Sequence, residues 1–388
     1  MKKRALIIGT FLMLFLGLIY AWSLFAAPLE EAFNWSRSQT SITFSISMTM
    51  FCLGSIISGI ILKKYSPGSI ILFSALLFLI GFYTASKIIN IPGLYISYGC
   101  LCGLGVGLSY NAILSTVPKW FPDRTGFATG TLLMGMGLGS LILGIIVNKA
   151  IDLLKWHRAF KILSIVFFAV FLIGSFLIKK PEAESKPVKI RKDIKDYTLS
   201  EMLKTKDFWM LFIWSVIASS IGLGIVSNAG YMAIEFGVTT GSLALIVGMV
   251  SVGNGVGRLL FGAIADRVGG SKAMTISNMV FIIGLLLAIL ANKTNIPIFI
   301  VIGFIMGGIG YGSSPTLSAA LTKEKFGEKH YPLNLSAIVT ALIPASLIGP
   351  TISAGVYQQT GQYRNVYFIM IGMAMLAFLP VKIYKDKS

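Results

Sequence analysis

The sequence predicts an all-α membrane protein with twelve transmembrane helices. Of 388 residues, 55% are hydrophobic and only 12% are charged, long apolar runs recur along the whole length, and Lys and Arg sit almost entirely in the short connections between those runs. A soluble protein carries about 25% charged residues, and one water-soluble core has no room for this much apolar surface. Apolar runs of roughly 20 residues are what a membrane span needs.

Apolar runs bounded by charges or turn residues place spans 1–6 near 5–29, 40–62, 69–87, 94–117, 125–148 and 159–178. Spans 7–12 lie near 208–232, 241–264, 273–291, 296–321, 334–357 and 363–381. The first run follows Met1-Lys2-Lys3-Arg4 and superficially resembles a signal peptide. It is longer than a usual signal h-region and holds Tyr20 and Trp22, so an uncleaved first span is expected. With both termini in the cytoplasm, the inside segments hold 24 of the 33 Lys and Arg residues, eight lie outside or at the outer ends of spans, and Arg258 alone falls in the interior of a span. That bias sets the expected orientation. The short loops and the lack of a transit peptide point to a bacterial plasma membrane.

Residues 179–207 form the one long polar stretch, with Pro181, Pro187 and mixed charges. It reads as a cytoplasmic linker, lying partly along the membrane surface, between six-span halves at 1–178 and 208–388. The halves repeat each other. Gly103-x-Gly105-x-Gly107 in span 4 answers Gly308-x-Gly310-x-Gly312 in span 10, and Gly59 ending span 2 answers Gly262 ending span 8. The expected architecture is two pseudo-symmetric six-helix bundles. Small residues in these rows let helix backbones approach closely in lipid, and span 5 offers a similar surface from Gly126 to Gly144.

The composition also excludes other chemistries. The formal charge of +18 follows membrane topology, so no nucleic-acid partner is expected. Cys52, Cys100 and Cys102 all lie in apolar runs, and His157 and His330 are far apart, which leaves no metal-binding spacing. Neither a Gly-x-x-x-x-Gly-Lys nor an HExxH pattern occurs. The protein is read as no enzyme, with no cofactor.

Arg258 is the most informative residue. It lies in Ser251-Val-Gly-Asn254-Gly-Val-Gly-Arg258, eight positions before Asp266, about 12 Å along the helix axis. Helical side chains lean toward their N-terminus, so its guanidinium should point toward the midplane, with Asn254 one turn above. An ionisable residue inside a span is a functional-site candidate, and guanidinium suits carboxylates. No Asp or Glu lies mid-span to pair with it, so a bound anion would supply the countercharge. The competing reading has Arg258 snorkelling to the interface or bonding free carbonyls. Tyr20, Trp22, Tyr110, Asn111, Asn228, Tyr231, Tyr311, Ser314, Ser336 and Thr340 form a set of candidate cavity residues, Tyr110 and Tyr311 because both come with the matched glycine rows.

Two six-span repeats joined by a central linker resemble the major facilitator architecture, which implies a substrate held between the halves. Gly262-Ala-Ile-Ala-Asp266-Arg267-Val-Gly269 is similar to that superfamily's loop signature, which implies a gating latch. Its first-half counterpart, Gly59-Ile-Ile-Leu-Lys63-Lys64-Tyr-Ser66, carries Lys63 in place of the acid.

More closely, the chain resembles the oxalate–formate antiporter family and its monocarboxylate-transporter relatives. The resemblance is carried by Leu18-Ile-Tyr20-Ala-Trp22-Ser23-Leu-Phe25, Phe33-Asn-Trp35-Ser36-Arg37 and Tyr98-Gly99-x3-Gly103-x-Gly105-x-Gly107-x2-Tyr110. Lys119-Trp120-Phe121-Pro122-Asp123-Arg124-x-Gly126 and Asn254-x-x-x-Arg258 complete it. Asp123, Arg124, Asp266 and Arg267 are the expected gating residues. Oxalate-type members pair the span 8 arginine with a span 11 lysine. Leu342 stands at that position, and span 11 has no Lys or Arg. One cation suits a monoanion, because a dianion would leave a charge unpaired in low dielectric.

The resemblance therefore implies alternating-access transport of a small monocarboxylate such as formate, acetate, lactate or pyruvate, as a monomer in the lipid bilayer. Arg258, Asn254, Tyr20, Tyr110, Asn111, Tyr311, Ser314 and Thr340 are the expected binding residues. Asn254 stands where related proton symporters carry an Asp and cannot titrate, so exchange or uniport competes with symport. Amphiphile efflux is the rival reading, weakened by Gly139-Ser140 where drug antiporters carry Gly-Pro. A non-transporting sensor of the same fold is the other.

Overall fold

The computed structural model describes residues 2–181, 196–235, 240–294 and 296–384, and among these every regular element is a helix. A membrane span must satisfy its backbone polar groups internally, and helices do so within one segment. Eleven helical stretches are long and apolar enough to cross a membrane. One of them, Pro122–Leu177, has 56 residues, roughly 84 Å at the helical rise per residue. Its backbone leaves the helical region at Lys155 (φ 66°, ψ 159°), which separates spans 5 and 6. The described spans therefore number twelve.

Local sequence sets several ends. Ser36 caps span 2 (Arg37–Ile61) with a capping box completed by Gln39, and Ser66 caps span 3 (Pro67–Ala85), with Pro67 in its first turn. Gly269 (φ 86°) ends span 8 (Thr240–Val268) before span 9 (Gly270–Thr294). Side chains such as Ile7, Phe73, Ile145 and Leu286 are exposed on these helices, as lipid-facing residues must be.

Spans 1, 4 and 11 are interrupted where the sequence suggests continuous helices. Span 1 runs as Lys2–Leu16, a 3₁₀ turn over Gly17–Ala21, then Ser23–Phe33. Span 4 opens with Ile91–Leu94 and a π-helical stretch, Tyr95–Cys102, before Gly103–Thr116. Span 11 breaks between Tyr331–Val339 and Leu342–Thr360. Spans 7, 10 and 12 are Lys206–Glu235, Pro297–Phe326 and Tyr363–Leu376 continued by Phe378–Ile383. Within the linker, Thr198 caps a short helix, Leu199–Leu203; residues 182–195 lie outside the described residues.

Contacts divide the chain into two compact units. Unit 1 comprises Met1–Asp123, Gly139–Asp196 and Gly327–Ala337; unit 2 comprises Arg124–Leu138, Tyr197–Phe326 and Ile338–Ser388. Each unit takes a short segment from the opposite side of the linker, so this grouping is a different partition from the two halves read in the sequence.

Within each unit the glycine rows serve the same purpose. In unit 1 a Cβ on Gly107 would collide with the Phe51 carbonyl, and Gly105 faces the Phe78 ring. In unit 2 a Cβ on Gly312 would collide with the Asn254 carbonyl, and Gly310 faces the Phe281 ring. These contacts make Phe51 equivalent to Asn254 and, one turn on, Ser55 equivalent to Arg258. They also refine the repeat. Tyr110 matches Pro315 and Tyr311 matches Val106, so the two tyrosines are not counterparts.

Candidate functional site

Arg258 is 1% exposed and lies among the largest fully buried side chains. Its Nε donates to Asn254 Oδ1 at 3.0 Å, one helical turn back, and its Nη1 donates to the Leu133 carbonyl at 3.0 Å. The backward lean places the guanidinium as the sequence predicts, beside Asn254, which is 7% exposed. The residue does not snorkel. It does bond a carbonyl, so part of the competing structural reading is realised.

Gly137 makes room for this group: a Cβ there would stand 3.2 Å from Nε. Both observed partners are neutral oxygens and use two of the five guanidinium donors. Among the described residues no carboxylate forms an ion pair with Arg258. Leu133 and Gly137 escape sequence reasoning, because nothing in the sequence pairs span 5 with span 8.

The other expected binding residues divide between the units. In unit 2, Ser314 is fully buried and hydrogen-bonds Ser219 at 2.8 Å and Ser215 at 3.4 Å, which ties span 10 to span 7. The Tyr311 ring is buried against Gly222. Thr340 is half-buried at the break in span 11, and Leu342, also half-buried, begins the second helix. Asn228 donates to the Gly224 carbonyl at 3.0 Å, and the side chain of Tyr231 lies outside the described residues.

In unit 1, Tyr20 is half-buried in the 3₁₀ turn of span 1. Trp22 donates to the Thr40 carbonyl at 3.0 Å. Tyr110 is buried edge-on to Phe51. Asn111 joins three spans: its Nδ2 lies 2.9 Å from the Ser55 carbonyl, 2.8 Å from the Pro332 carbonyl and 2.7 Å from Ser336 Oγ. This neutral cluster occupies, around Ser55, the place that Arg258 and its partners occupy in unit 2. In the same register Thr316 is the match of Asn111, and its buried hydroxyl has no hydrogen-bond partner among the described residues.

The residues expected to gate lie at helix ends. Asp266 accepts from the backbone N–H of Gly126 at 2.9 Å and of Phe127 at 2.8 Å, so its carboxylate caps span 5. An anion is favoured at a helix N-terminus, and Arg124 adds a favourable charge nearby. The contact that Asp266 makes is thus carboxylate to backbone. Asp123, Arg124 and Arg267 are exposed.

Membrane-length helices, a two-fold repeat in their packing and one buried arginine are the features of a polytopic carrier. The profile described as the Major Facilitator Superfamily matches residues 6–230 and 214–387. The chain belongs to the Major Facilitator Superfamily. As a major facilitator chain it is 25% identical to the oxalate:formate antiporter of Oxalobacter formigenes over 93% of its length and 86% of that protein. It is 26% identical to monocarboxylate transporter 12 of Rattus norvegicus, over 91% of its length and 79% of that protein. An uncharacterised MFS-type transporter of Escherichia coli (strain K12) is 27% identical, over 86% and 83%.

Among solved structures, the proton:xylose symporter XylE superposes with a TM-score of 0.76 over 99% of this chain and 96% of that one, at 16% identity. FucP in its outward conformation gives 0.71 over 99% and 100%, at 17% identity. At these identities the structures establish the fold: twelve transmembrane helices in two six-helix repeats. The protein is a multi-pass membrane protein of a transporter family.

Proposed function

We propose that this major facilitator protein moves small organic monoanions, a monocarboxylate such as formate, acetate, lactate or pyruvate, with Arg258 as the group that holds the carboxylate. The observation that carries the reading is a fully buried guanidinium whose visible partners are an amide and a carbonyl oxygen. A buried charge without a counter-charge is costly, and a carboxylate answers it with matching geometry. Leu342 in place of a second cation supports a single negative charge on the substrate. The two relatives named for oxalate:formate exchange and for monocarboxylates are consistent with this class.

Asn254 holds the Arg258 side chain in orientation, and its neutral amide favours exchange or uniport over proton coupling through this pair. Asp266 and the span 5 amides form a gate contact. Alternating access would proceed by motion of the halves 1–178 and 208–388 about the linker, in a plasma membrane with both termini inside, the protein acting as a monomer.

The test is thermal stabilisation of the purified protein by a panel of mono- and dicarboxylates. A ligand at about 100 times its Kd stabilises by about 2.7 kcal/mol through linkage, so a monocarboxylate should raise Tm measurably. Arg258→Ala should abolish that shift. Equal shifts in both proteins, or shifts with apolar or cationic compounds alone, would refute the arginine-centred reading in favour of efflux.

A further inference from the structure

The first-half loop raises a question that transport does not answer. Equivalent contacts place Gly59 against Pro332 and Gly262 against Gly126, so Lys63 in unit 1 stands where Asp266 stands in unit 2. Unit 2 has a carboxylate capping span 5 there. Unit 1 has a cation, and around it the structure holds cavities.

The first cavity, about 620 Å³, lies between the start of span 3 and the end of span 6, and its lining includes Lys63, Lys64, Lys179 and Lys180. Tyr65 and Phe176 line it as well, 58% and 66% exposed. A second cavity of about 160 Å³ shares Lys63 and Lys180 and adds Lys119, Lys329 and His330. Neither lining includes a carboxylate among the described residues. Nearby, Glu328 pairs with Lys119 at 3.7 Å. Positive groups therefore converge on an open cleft whose described lining holds no carboxylate.

We propose that this lysine-lined cavity of unit 1 binds the phosphate-bearing headgroup of an anionic membrane phospholipid. Its position favours a lipid over a soluble anion. It opens at the start of helix Pro67–Ala85 and the end of helix Thr125–Leu177, span ends of the kind that meet the headgroup layer. Phe176 lines the cavity, and Ile173, three residues earlier on span 6, is exposed as well; residues three apart share a helix face, which gives an acyl chain an apolar surface to lie against. Basic pockets between membrane helices are suited to such lipids, each lysine near the headgroup adding to the attraction. Ser66 and Ser69 hydroxyls bond each other at 2.9 Å at the mouth of span 3, adding polar groups beside the lysines. The inference is independent of the carboxylate reading.

The experiment uses the full-length protein in neutral detergent, with phosphatidylglycerol, phosphatidylcholine or inorganic phosphate added. Native mass spectrometry counts retained lipid and a melting curve reads stabilisation. Phosphatidylglycerol should remain bound and raise Tm, while phosphatidylcholine and phosphate at the same concentration should not. Lys63→Gln/Lys180→Gln should lose roughly tenfold or more in apparent lipid affinity. Lys63→Arg/Lys180→Arg should keep it, and so should Lys204→Gln/Lys272→Gln, which removes equal charge elsewhere. Unchanged phosphatidylglycerol retention in Lys63→Gln/Lys180→Gln overturns the proposal. So does equal loss in Lys204→Gln/Lys272→Gln, which would mean diffuse attraction, or full stabilisation by free phosphate, which would mean a soluble ligand. A carboxylate-induced Tm shift is read separately, so failure here leaves the transport reading intact.

Discussion

At the scale of single residues, the pair Arg258 and Leu342 carries the substrate argument. The guanidinium is buried with neutral partners, and the residue at the break in span 11 that resembles a lysine site is aliphatic. If charge count selects the substrate, Leu342→Lys should move preference from monocarboxylates toward a dianion of oxalate size. Comparing Tm shifts for formate and oxalate in the two proteins checks this; an unchanged ratio would remove charge count as the selector. Asn111 carries the opposite lesson. The sequence reads it as a cavity residue, and in the structure its amide bonds Ser55, Pro332 and Ser336. Residue type alone does not separate a binding asparagine from one that joins helices.

At the scale of elements, close helix contacts depend on missing Cβ atoms. Gly107→Ala and Gly312→Ala would each drive a methyl into a carbonyl of the facing span. Overpacking of this kind costs typically 1–3 kcal/mol, so both should lower Tm and folded yield. Gly355 and Gly372 meet nothing within 4 Å and lie in helices Leu342–Thr360 and Tyr363–Leu376. Alanine there should be neutral or stabilising by up to about 1 kcal/mol. A similar loss at all four positions would show that helix propensity or lipid exposure, not contact, is being measured. The cap of span 5 is a second element-scale device. Asp266→Ala removes an acceptor from two amides and should cost about 1–2 kcal/mol. Hydrogen exchange at Gly126 and Phe127 should then accelerate, with distant helices unaffected.

At the scale of the whole molecule, the repeat and the charge distribution make different claims. The repeat is visible in packing: Gly107 on Phe51 and Gly312 on Asn254 are the same contact made twice. The +18 charge, placed mostly in alternate connections, predicts both termini on the cytoplasmic side. Epitope tags at the two termini of intact cells should resist an impermeant protease and become sensitive once the membrane is opened. Cleavage of either tag in intact cells would reverse the assignment. The equivalent loops also diverge in charge, Asp266 in one and Lys63 in the other, so the repeat preserves backbone packing while the charge at the loop changes sign.

The amino-acid sequence alone determined the membrane class, the twelve spans, the internal repeat and the singular place of Arg258. Apolar run length, charge position and glycine spacing are local properties, and bilayer thickness turns them directly into helices. Only the tertiary structure decided which helices meet. In lipid, the face that packs and the face that meets acyl chains are both apolar, so hydrophobic pattern does not name a partner. Leu133 and Arg258 are 125 residues apart and meet through a backbone carbonyl, which leaves no side-chain signature. Asn111 meets Ser336 across a separation of 225 residues. Such pairings follow from which backbones approach closely enough, a matter of shape that becomes fixed only when the helices pack together.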